Sequence, residues 1–190
     1  MENQLNTENQ STEKQISFES VSFIGRISYG IMCEKEYLLQ GYPYKDWAII
    51  LEVFCKITDL ELELWDDWMD ETIEIIPQYL FKFDNYKSSD FEFLTEDKYN
   101  TLKKFYGNIN EDVNIFLKMV YDLANSHAYS SIKGKGEESL RQLREITTFL
   151  EEKEILLPDI EKVQTHLFSD KNGWGNPFDG TNLSKIIKKY

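Results

Sequence analysis

From Glu63 to Ile76 the chain sorts its apolar and its acidic residues onto opposite halves of a helical wheel. At about 100° per residue, Leu64, Trp65, Trp68, Met69, Ile73, Ile75 and Ile76 share one half. Glu63, Asp66, Asp67, Asp70, Glu71 and Glu74 share the other. The pattern predicts an amphipathic helix whose outer face carries a single sign of charge. Between Lys56 and Lys82 there are eight acidic residues and no basic one. Glu63/Asp67, Asp66/Asp70, Asp67/Glu71 and Asp70/Glu74 are like-charge pairs at i,i+4, each costing roughly 0.2–0.5 kcal/mol. The helix dipole relieves acids only in the first turn, which leaves Asp70, Glu71 and Glu74 without that help. Two readings follow: a solvated face in a generally acidic chain, or a docking surface for a cationic partner.

The rest of the composition narrows the choice. The chain has 190 residues, a net charge of −13 and a pI near 4.6, so a nucleic-acid ligand or an anionic membrane surface is a poor match. A basic protein fits best. With 41% hydrophobic residues and 23 Phe and Tyr together, the chain has enough apolar surface for one substantial core. Cys33 and Cys55 are the only cysteines. No positive segment followed by an apolar one opens the chain, and no apolar run approaches the ~20 residues that span a bilayer. The expectation is a soluble cytoplasmic protein with two reduced, buried thiols.

From Met1 to Gln15 the chain is nearly all polar, with Leu5 as the one apolar anchor, and residues 1–16 read as a disordered tail. Residues 17–190 read as one mostly α domain, an irregular bundle of about seven to nine helices. Phe18–Gln40 is expected to form one or two helices, kinked near Gly30. A turn at Gly41–Asp46 leads into a helix from Trp47 to about Thr58, with Asp46 as a cap. The acidic helix follows, and Pro77 stops or bends it. Phe83–Leu94 is an aromatic-rich loop. Thr95 and Asn110 each cap a further helix, and another runs through Leu140, Leu143, Ile146 and Leu150. Pro158 opens a shorter one through Val163 and Leu167, and Thr181 caps a last one ending in Lys185, Lys188 and Lys189.

Few residues suggest chemistry. Asp66-Asp67-x-x-Asp70 matches the aspartate-rich motif with which class I terpenoid and prenyl-chain synthases hold Mg²⁺. The second metal-binding motif on a facing helix is missing, however: Glu111-Asp112-Val113-Asn114 lacks the later carboxylate. Asp170–Thr181 fails as a calcium loop because Trp174 and Thr181 occupy ligand positions. His166 with Asp170 invites comparison with a proton-transfer pair, but a histidine near a helix C-terminus more commonly answers the dipole. Gly134-Lys-Gly136 is not a phosphate loop, and the cysteine spacing does not support zinc. Trp174, flanked by Gly173 and Gly175, either lies on the helical body or serves as an exposed anchor for a partner.

Gly41-Tyr-Pro-Tyr44, the paired Trp65 and Trp68, and the segment Phe168-Ser-Asp-x-Asn-Gly-Trp-Gly-Asn-Pro-Phe178 together resemble the immunity proteins of bacterial polymorphic toxin systems, in particular the all-α immunity family six. The resemblance implies a cytoplasmic, non-catalytic protein without a cofactor, which binds a cognate toxin domain (a nuclease is one such kind) and blocks it. No site residue comes from that family. From the charge pattern alone, Glu63, Asp66, Asp67, Asp70, Glu71 and Glu74 form the expected docking face. The alternatives are a small all-α metal-dependent enzyme using Asp66, Asp67 and Asp70, and an acidic helical adaptor with no toxin.

Overall fold

A computed structural model describes residues 17–180; the expected polar tail and the helix capped by Thr181 lie outside them. Seven α-helices occur among the described residues: α1 (Phe23–Gly41), α2 (Ala48–Lys56), α3 (Trp65–Ile75), α4 (Pro77–Leu80), α5 (Glu96–Tyr106), α6 (Glu111–Asn125) and α7 (Glu137–Glu152). The only β-pairing among these residues is an isolated antiparallel bridge between Val21 and Leu167. The mostly α, single-domain expectation is met.

The acidic helix is peripheral, and α1 is the centre. Fifteen of its 19 residues are buried, the signature of a helix surrounded by others rather than laid on a surface. It packs against α2, α6 and α7. The helix runs unbroken through Gly30. Gly30 is there for close approach instead: a Cβ at this position would lie 2.9 Å from Leu123 Cδ2 on α6. Packing takes precedence over the ~1 kcal/mol that glycine costs inside a helix.

Capping went largely as expected. Asp46 accepts from the Ala48 N–H at 3.1 Å, Thr95 from Lys98 at 3.3 Å and Asn110 from Asp112 at 3.3 Å. Pro77 occupies the first turn of α4, directly after α3 ends. The helix expected after Pro158 does not form; only a 3₁₀ turn at Ile160–Lys162 is present. Beyond it the backbone is committed elsewhere. Phe168 N–H donates to Ser20 O, Ser22 N–H to His166 O (both 2.8 Å), and Ile24 N–H to Trp174 O at 3.0 Å.

This late segment therefore closes over the N-terminus of α1. Gly173 and Gly175 turn it, with φ of +95° and +86°, a region that side chains other than glycine rarely adopt. The turn brings the Trp174 ring edge-on to Phe23 (5.3 Å) and Trp65 (5.6 Å). Trp174 thus lies on the helical body. Arg26 fastens the same region from beneath. Fully buried, it donates to Phe18 O (3.2 Å), Gly136 O (3.1 Å) and Ser139 Oγ (2.8 Å), and its guanidinium lies over the Phe168 ring. Burial lowers its pKa to about 10, so it stays charged at neutral pH.

Candidate functional site

The carboxylates of α3 separate into two groups once the helix is packed. Trp65 and Trp68 face inward, and Trp68 Nε1 donates to Val53 O at 2.8 Å, which fixes the roll of α3 against α2. Glu63, Asp66, Asp67 and Asp70 are then exposed. No basic side chain among the described residues forms an ion pair with any of them. These four make the ridge that the periodicity predicted.

Glu71 and Glu74 are different. Glu71 is half-buried and takes the Lys56 ammonium on both oxygens at 2.6 Å, so its charge is matched within the fold. Glu74 is only 5% exposed. Its carboxylate accepts the backbone N–H groups of Glu92 (2.6 Å), Phe93 (3.0 Å) and Leu94 (2.8 Å). It does not belong to the docking face. The wheel gave its angle correctly, but the loop before α5 covers that angle.

Leu64 was expected on the apolar half, yet it is 50% exposed. It lies in the 3₁₀ turn Leu62–Leu64, where the tighter winding does not continue the angular register of α3. Tyr129 joins the ridge from 63 residues away. Its side chain is 78% exposed, and its hydroxyl donates to Asp66 Oδ1 at 2.9 Å. That hydrogen bond, helped by the charges of Asp66 and Asp70, raises the phenol pKa above its usual value. Nothing in the sequence paired Tyr129 with α3. The ridge is thus four exposed carboxylates with no ion-pair partner among the described residues, beside an exposed aromatic ring and an exposed leucine, a mixture suited to protein contact.

The other candidates are absorbed by packing. Among the described residues, no group of three or more His, Cys, Asp or Glu side chains is placed to hold a metal ion. His127 is buried, edge-on to Phe23 and 3.2 Å from Ser139 Oγ; burial and the Arg26 charge hold its pKa below normal. His166 stacks on Phe178 at 4.2 Å, with a pKa lowered by burial. Asp170 is hydrogen-bonded to Ser169 and Asn176 instead of His166. Both cysteines are free and buried; burial raises the Cys55 thiol to about 12 and the Cys33 thiol further still.

Fold and site define an all-α domain with an exposed acidic ridge along α3. No protein-family model matches the chain, and neither a curated protein nor a solved structure does. No helix among the described residues is long and apolar enough to cross a membrane.

Proposed function

We propose that this protein is a non-catalytic binding protein, an immunity protein that captures a cognate bacterial toxin domain by docking a basic surface onto the ridge of α3. The observation that carries this reading is the set Glu63, Asp66, Asp67 and Asp70, exposed together without a cationic partner among the described residues and adjoining the exposed Tyr129. Packing four like charges on one short face costs stability, and a positively charged partner turns that cost into attraction. The sequence resemblance to toxin-immunity proteins supports the same reading. Charge attraction would accelerate capture, while Tyr129 and Leu64 would supply the desolvated contacts that slow release.

The test begins by naming the partner through affinity capture from the native host with mass spectrometry. Association with the purified partner is then followed by stopped flow at low and high salt. D66K/D67K/D70K is expected to keep its helical circular dichroism and to slow association by about tenfold or more at low salt. Association kinetics equal to those of the wild type would remove α3 from the interface. A partner without toxicity in cells lacking this protein would remove the immunity role but leave the binding role standing.

A further inference from the structure

The C-terminal end of the same surface has the opposite character. Tyr129 meets Asp66, and the Gln78 N–H donates to Asn114 Oδ1 at 2.8 Å, so α3–α4 and α6 run antiparallel side by side. Ile73 lies two turns beyond Asp66 (i, i+7), at the border between the apolar and acidic halves of α3. There the ridge gives way to a cleft of about 480 Å³ lined by Ile73, Ile76, Tyr79, Phe81, Lys82 and Lys118. A second cleft of about 260 Å³, bounded by Pro77, Ile109, Asn110 and Asn114, shares Gln78 and Phe81 with the first. The two meet at Phe81, whose ring is 46% exposed, and together form a trough running past it.

Lysines border the first cleft of this trough, whereas the second has Glu111 and no lysine in its lining. The Lys103 ammonium lies over the Phe81 ring at 4.8 Å, and that of Lys82 over Tyr79 and Phe83 at 5.2 and 5.6 Å. Lys118, on the α6 side, pairs with Asp122. Lys82 and Lys103 form no ion pair among the described residues. Their charges are held beside aromatic faces in a chain with thirteen more acidic than basic residues (34 against 21). An apolar floor with a cationic rim complements an apolar side chain flanked by carboxylates.

We propose that the trough around Phe81 docks a peptide segment of a partner protein in which an apolar side chain is flanked by acidic residues. The trough is separate from the acidic ridge and stands whether or not the ridge binds a toxin. If one partner engages both, it must present basic and acidic-apolar elements in that order along α3, which would fix its orientation as well as its affinity.

The probe is a fluorescein-labelled synthetic peptide with a leucine–phenylalanine pair flanked on each side by two glutamates. Its comparison is the same peptide with lysines as flanks. Fluorescence anisotropy with the full chain should show saturable binding of the glutamate peptide below about 1 mM and at least about tenfold weaker binding of the lysine peptide. F81A and K82E alter exposed side chains and should keep the wild-type circular dichroism. Each should weaken the glutamate peptide by about tenfold, whereas D66K/D70K should not weaken it. The proposal is overturned by no saturation, by equal binding of the two peptides, or by variants that bind as the wild type does. A chain dimer seen by light scattering and abolished by F81A, without peptide binding, would assign the trough to a second copy and also overturn it.

Discussion

Glu34 is enclosed on every side in the middle of α1, and neither carboxyl oxygen has a hydrogen-bond partner among the described residues. Burial raises its pKa well above 4.5. A carboxyl in such a place stays protonated, because an isolated buried charge costs far more than a pKa shift. The sign of the pH effect follows. The folded state keeps a proton that the unfolded state releases near pH 4.5, so this contribution is complete below that pH and fades as pH rises toward the folded pKa. Replacing the carboxyl with an apolar group, Glu34→Leu, is expected to stabilise the fold by roughly 1–3 kcal/mol at pH 7. Urea midpoints at pH 5, 6 and 7 should fall less steeply for the variant than for the wild type. Parallel slopes would show that Glu34 is already ionised.

Among the elements, α3 serves two purposes, and only one was readable in advance. The wheel found its buried tryptophans and its row of Asp66 and Asp70. It could not show that residues 92–94 would fold across Glu74, because the angle of a residue carries no information about which distant loop arrives there. The same limit hid Tyr129 and the trough at Phe81, both assembled from separate helices. Local chemistry was far more legible: Thr95 and Asn110 cap where their side chains predict, Asp46 holds the Ala48 N–H from one residue before the cap position at Trp47, and Pro77 divides α3 from α4. Pro158 misled, because a proline suited to a first helical turn was followed by no continuous apolar stripe. Val163 is buried there but Leu167 is half exposed, and the backbone instead bonds to residues 20–24. Glu74→Ala should cost about 2–4 kcal/mol by leaving three N–H donors without their acceptor. Hydrogen exchange should then show lost protection at Phe93 and Leu94. Retained protection would mean that the loop holds itself. Glu74 should be left intact in any charge-reversal test of the ridge.

For the molecule as a whole, 34 acidic residues against 21 basic ones mean that folding gathers like charge. Added salt should therefore stabilise it by screening. Raising sodium chloride from low ionic strength to about 0.5 M at pH 7 is expected to add ~1 kcal/mol, or about 2–4 °C in Tm for a chain of this size. The gain should vanish near pH 4.6, where the net charge is close to zero. A Tm that falls with salt at pH 7 would indicate that specific ion pairs outweigh the general repulsion. The strap made by residues 166–178 has a consequence during synthesis. It supplies backbone partners for the start of α1, so a nascent chain cannot seal its first helix until the strap has left the ribosome. A copy cut short before Trp174 would leave the start of α1 without those partners and would be a target for proteolysis, so only chains that carry the strap would persist in the folded form.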